Sequence, residues 1–199
     1  MKPCLAAGAA ARRLRAACVG AALACAAAAA HADSEVQTLA VVNGLLAVYA
    51  IVTPTNPESD HLALEVGRLD AVKDVQPASD VGVEYRFGRA FWWKLRPFVG
   101  AEATWDRGAY AYAGIRLSTW WGPHLEATPS FAVGGYSRGD GKNLGSPPVL
   151  GRFGLDVAYR FDNDVRLGVA YHHMSNGKAF GQTTNPGTEV VGVTFCLPM

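Results

Sequence analysis

Close to the C-terminus, His173, Ser175 and, fourteen residues further on, Glu189 supply the groups of an activated-serine hydrolase. A serine hydroxyl attacks a carbonyl poorly unless a base takes its proton. An imidazole with an ordinary pKa of about 6.5 can be that base near neutrality. A carboxylate on the other ring nitrogen sets the tautomer and steadies the imidazolium. The oxyanion formed on attack needs fixed donors, and the candidates are Asn185 or the backbone amides around Asn176 and Gly177. This chemistry requires no cofactor and no metal. The glycine-rich run Ser137–Gly145 contains Asp140 but lacks the ligand pattern of a calcium loop and reads as a surface turn.

The three residues can meet only if the chain places them on one surface. Val165, Leu167, Val169 and Tyr171 alternate with Arg166, Gly168 and Ala170, which is strand periodicity with one apolar face. His173 and Ser175 share the parity of that apolar face, while His172 does not and reads as a lumen or turn residue. After a polar stretch rich in Gly, Asn, Thr and Pro, residues Glu189, Val191, Val193, Phe195 and Leu197 alternate again. Glu189 opens the apolar face of that last strand. A hairpin would bring His173, Ser175 and Glu189 to one face, although each also has a plain reading. Asn185-Pro186-Gly187 is a good turn in its own right, Glu189 could be a rim carboxylate, and Lys178 suits water or lipid phosphate.

The chain opens as an export signal. Lys2, Arg12, Arg13 and Arg15 precede an alanine-rich apolar run, and Ala30-His31-Ala32 fits a small-x-small cleavage site, so residues 1–32 read as a signal peptide. Four of the 18 basic residues and none of the 17 acidic ones lie in it, leaving 14 against 17, a net charge of −3. That balance gives no reason to expect a nucleic-acid partner. Three of the four cysteines also fall in the signal, so Cys196 remains alone and no internal disulfide can form. Residues 33–60 form an N-terminal extension whose apolar part, Leu39–Val52, could be a strand, a plug or a loose segment.

Residues 61–199 divide into eight short alternating segments: 61–70, 80–88, 95–106, 109–119, 123–136 and 149–160, then the two strands of the terminal hairpin. The faces opposite the apolar ones carry Glu84, Arg86, Glu102, Arg116, Glu126, Arg152, Asp156, Arg160 and Arg166 among small residues. Eight strands close into a barrel whose interior is just wide enough for side chains to fill, and an acid–base network suits such a lumen. Aromatic residues gather at segment ends (Phe91-Trp92-Trp93, Trp105, Trp120-Trp121, Tyr136, Tyr159 and Phe161), where interfacial girdles fall. Short connections alternate with longer polar ones, and only Arg107-Gly108 breaks the alternation. The expected fold is an all-β, eight-stranded antiparallel up-and-down transmembrane barrel in a bacterial outer membrane. The rivals are a non-enzymatic outer-membrane barrel with an adhesive or structural role and a soluble periplasmic lipid-binding barrel. By strand count the stretch from Asn176 to Thr188 lies outside the cell, so His173, Ser175 and Glu189 face the outer leaflet. Charge on a lipid face is costly, about 2–4 kcal/mol at mid-bilayer, and a lipid substrate would give a reason for it.

The run His173-Met174-Ser175-Asn176, then Asn185-Pro186-Gly187-Thr188-Glu189, with Asn143-Leu144-Gly145 and the strand RFGLDVAYRF upstream, resembles the lipid A 3-O-deacylases of Gram-negative outer membranes. The resemblance covers about residues 80–199. It implies removal of the ester-linked acyl chain at position 3 of lipid A, with His173 as base, Ser175 as nucleophile, Glu189 as third member and Asn185 on the oxyanion side. Lipopolysaccharide and outer-membrane lipid are then the partners, and a homodimer stays open. Lys178 stands where that family carries a small residue.

Overall fold

The computed structural model describes residues 34–145, 148–177 and 186–199. Two compact units divide at Pro54 and Thr55. The first contains helix α1, Ser34–Val52. Its apolar run, for which the sequence left a strand, a plug or a loose segment open, is helical through Asn43-Gly44. The helix stops before Pro54, whose ring disfavours helix at the residue before it. No described helix is long and apolar enough to cross a membrane, a statement that concerns helices and leaves strands aside.

The second unit is a closed antiparallel barrel of β1 (His61–Leu69), β2 (Ala78–Arg86), β3 (Arg96–Thr104), β4 (Ala109–Arg116), β5 (Thr119–Trp121), β6 (Leu125–Ser137), β7 (Val149–Arg160), β8 (Arg166–Ser175) and β9 (Thr188–Pro198). Sequence neighbours pair, except that β4 and β5 both pair with β6 and not with each other, and β9 returns to β1 to close the ring. Nine segments make eight staves because β4 and β5 run in one register against β6. The gap between them, Leu117-Ser118, lies opposite Pro129 and Thr128. Leu117 donates to the Pro129 carbonyl, but proline has no N–H to return the bond, so the ladder is interrupted there. Residues 55–60, assigned from sequence to the extension, belong to the barrel unit. Within it the Glu58 carboxylate lies 2.9 Å from Arg116, 3.2 Å from Arg96 and 3.7 Å from Arg166.

Alternation sorts the side chains. Leu64, Val66, Val133, Val169, Val193 and Phe195 stand exposed on the outer wall. Glu84, Glu102, Arg116, Glu126, Arg152 and Arg166 are buried on the inner one. Arg152, 1 % exposed, lies 3.2 Å from both Glu84 and Glu102 with its guanidinium over the Tyr112 ring, and Tyr112 donates to both carboxylates. Arg86 joins Glu84 to Asp156, and Arg166 pairs with Glu126 at 2.6 Å. Buried charge is tolerable when it is paired and hydrogen-bonded in this way. Arg160 departs from the expected lumen set: it is half-buried at the rim, held to Asp164 at 2.6 Å.

Of the end-of-strand aromatics, Phe91, Trp92, Trp105, Trp121, Tyr159 and Phe161 are exposed. Tyr136 is not one of that group. Its even position in β6 turns it inward, where it joins the buried cluster of Leu69, Leu144, Leu150 and Met174 and donates to the Lys142 carbonyl at 3.0 Å.

Candidate active site

β8 and β9 are paired so that His173 stands directly opposite Glu189. Cross-strand partners project to the same face. That face is the outer one, because Leu167 and Val169 in β8 and Val191 and Val193 in β9, of the same parity, are exposed on the outer wall. His173 Nδ1 lies 3.3 Å from Glu189 Oε1. Nδ1 is thus the ring nitrogen on the carboxylate side. Ser175 follows two residues later on the same face, half-buried, opposite Gly151. A Cβ at Gly151 would meet only Phe131 and the Ser175 carbonyl at ordinary contact distance, so the wall beside the serine is indented rather than filled.

Although outward by parity, His173 is 3 % exposed and Glu189 fully buried. Their cover comes from the ends of neighbouring strands. The Ala71 amide of the β1–β2 loop donates to the Glu189 carbonyl at 3.3 Å, and Lys73 Nζ lies 3.9 Å from Glu189 Oε1. Gly187 closes over the imidazole. A Cβ there would lie 2.5 Å from His173 Cε1 and 2.9 Å from Nε2, so any larger residue would crowd that edge of the ring. The sequence offered Gly187 as a turn residue; its packing against the ring depends on the β8–β9 register and could not be read from spacing.

The expected oxyanion donors divide. Asn185 and Lys178 lie outside the described residues. Asn176 is buried and its side-chain amide donates to the Leu144 carbonyl at 3.2 Å, which ties it to the β6–β7 loop. Gly177 has φ +59° with open space around it, so backbone conformation rather than crowding favours glycine there. His172 points inward as its parity requires, with Nε2 3.0 Å from Glu65. Among the described residues there is no cluster suited to a metal ion.

The β6–β7 loop is more than a surface turn. Lys142 reaches back to Asp70, and Leu144 is 1 % exposed in the buried cluster. Asn143 accepts from the Gly145 amide at 3.1 Å, and Gly145 takes a positive φ, so Asn143-Leu144-Gly145 is a fixed turn that presents a carbonyl to Asn176.

The barrel is similar to three solved structures. The crystal structure of the outer membrane enzyme PagL shares 17 % identity over 70 % of this chain and 99 % of that one, with TM-score 0.52. Neisserial surface protein A, NspA, shares 7 % over 74 % of this chain and all of that one, at 0.51. A de novo designed transmembrane β-barrel shares 14 % over 73 % of this chain and all of that one, at 0.50. At these identities the likeness establishes the fold. No curated protein matches the sequence. The family model described as lipid A 3-O-deacylase (PagL) matches residues 79–198, from β2 through the paired histidine and glutamate to the last strand. The chain therefore belongs to the PagL family of outer-membrane lipid A deacylases.

Proposed function

We propose that this barrel hydrolyses the ester-linked acyl chain at position 3 of lipid A, with Ser175, His173 and Glu189 as its catalytic residues. The observation that carries the reading is the outward-facing pair of His173 Nδ1 and Glu189 Oε1 at 3.3 Å, with Ser175 next on the same face. Ser175 Oγ attacks the ester carbonyl while His173 Nε2 takes its proton. The tetrahedral oxyanion collapses, the bond to the sugar oxygen breaks, and the imidazolium protonates that oxygen as the 3-hydroxyl leaves. Water, deprotonated by the same nitrogen, then attacks the acyl-serine and releases a 3-hydroxy fatty acid with Ser175 restored. Glu189 stays ionised throughout and holds the ring. Backbone amides near Asn176 and Gly177, with Asn185, are the proposed oxyanion donors.

A site on the outer wall suits this substrate. Lipid A sits in the outer leaflet, and its acyl chain can lie along the apolar strip below Ser175, where Phe153, Tyr171 and Val191 flank the site. The indentation at Gly151 gives the ester room to reach the serine. The test is purified barrel mixed with lipid A and followed by mass spectrometry. Wild type should remove one 3-hydroxyacyl chain and Ser175→Ala none. Equal loss in both would end the serine assignment, and no loss in either would favour a non-enzymatic barrel.

A further inference from the structure

Two loops that take no direct part in this chemistry meet at one buried ion pair. Lys142 Nζ of the β6–β7 loop lies 2.5 Å from Asp70 Oδ1, with Asp70 fully buried and the lysine side chain 13 % exposed. Asp70 Oδ2 accepts the amides of Val75 at 2.9 Å and Gln76 at 2.7 Å, and the Asp70 carbonyl accepts that of Asp74 at 3.0 Å. Asp70 itself takes φ +56°, a conformation that Asp tolerates better than most residues. One carboxylate therefore winds the β1–β2 loop and anchors it to the β6–β7 loop.

Both loops touch the site. The residue after Asp70, Ala71, donates to the Glu189 carbonyl, and Lys73 in the same turn approaches the Glu189 carboxylate. The second residue after Lys142, Leu144, gives its carbonyl to Asn176, the neighbour of Ser175. We infer that the Asp70–Lys142 pair is a clasp that sets Glu189 and Ser175 in mutual register, making Asp70 and Lys142 positioning residues for the hydrolysis. The idea rests on the hydrolase reading for its kinetics, but its geometry can be tested without it. The β8 and β9 ends that carry the site receive, through these loops, a support that the hairpin cannot give itself. Misplacing a reacting group by about 1 Å can cost roughly 100-fold in rate.

The experiment uses the full barrel in bilayers containing lipid A, with Lys142→Met, Asp70→Asn, the double variant and Lys142→Arg. Each of the first two should lower kcat about 10- to 100-fold with KM within about twofold. The double variant should fall no further than the worse single one, because the two residues act as a unit. Lys142→Arg, which keeps the ion pair, should recover most of the rate. Amide exchange at Ala71 should quicken about tenfold in Lys142→Met while the barrel keeps its heat-modifiable band on gels. If Lys142→Met does not assemble, Lys142→Gln carries the same measurements. A raised KM with kcat intact would make Lys142 a substrate contact and overturn the clasp. Additive losses or unchanged exchange at Ala71 would overturn it as well. If wild type turns over no lipid A, the hydrolase reading fails separately and the exchange arm decides the clasp.

Discussion

Two neighbouring histidines make the same kind of pair on opposite sides of one strand. His172 Nε2 meets Glu65 at 3.0 Å inside the lumen, and His173 Nδ1 meets Glu189 at 3.3 Å outside it. Both imidazoles are almost wholly buried, and each packs against a glycine, Gly154 within and Gly187 without. Even a serine is near the inner pair, since Ser130 flanks Gly154 on its other side. An inventory of residue types would therefore rank the two pairs equally. They differ in their surroundings. Glu65 also faces Arg152, itself bound to Glu84 and Glu102, so the inner pair is part of a charge network in the barrel's interior. The outer pair shares its face with Ser175, which is half-buried, and with the exposed apolar residues of the outer wall. A histidine–carboxylate pair becomes a candidate site through the face it occupies and the groups beside it as much as through its own chemistry.

The sharpest way to break this comparison is to remove each imidazole in turn. His173→Asn should lower deacylation at least about a thousand-fold, since the members of a triad fail together, whereas His172→Asn and Ser130→Ala should stay within about threefold per folded barrel. Initial rates on lipid A, normalised to heat-modifiable protein, separate the two outcomes. A large loss from His172→Asn would move the chemistry into the lumen.

The carboxylates come next. Glu189→Gln should reduce kcat by roughly 10³- to 10⁴-fold because an amide no longer selects the tautomer. Glu65→Gln should act on stability instead, seen as a lower unfolding temperature with the rate of the folded fraction kept. Gly187→Ala should cost about 100-fold in kcat, as a methyl group forces the imidazole or the loop to shift. Near-normal turnover with alanine at 187 would mean that Nε2 is not the working nitrogen.

The smallest effect concerns pH. Burial would push the Asp70 carboxyl up, but the Gln76 amide, the Lys142 ammonium and the Val75 amide outweigh it and hold its pKa below the ordinary Asp range. A carboxyl held lower in the folded state stabilises above its unfolded pKa and loses that contribution as the pH falls through the folded value. The clasp should thus be intact at neutrality and loosen only below about pH 4, the ordinary Asp value. Protection of the Ala71 amide across an acid titration is the measurement; loosening between pH 5 and 7 would contradict it.

Much of the barrel was legible because strand parity is a local property. Alternating Val, Leu and Phe against Glu and Arg marked the staves within a few residues, and β7 was delimited as Val149–Arg160. The same parity rule put His173, Ser175 and Glu189 on the apolar face. Tyr136 was misjudged because an aromatic residue at a strand end suits both a girdle and a core, and only its register chooses. The β6–β7 loop looked like solvent-exposed turn chemistry because its burial depends on Asp70 and Asn176, 72 and 32 residues from their partners. Glu58 was unreadable for the same reason: its three arginines come from three different strands.

Residue order alone determined which side chains share a face, because a strand alternates with period two whatever surrounds it. It also determined that the candidate nucleophile, base and carboxylate share the greasy face. The closed sheet decided the rest. Register set Glu189 opposite His173, loop packing brought Gly187 onto the ring and Lys142 onto Asp70, and these are contacts between distant segments that no local periodicity encodes.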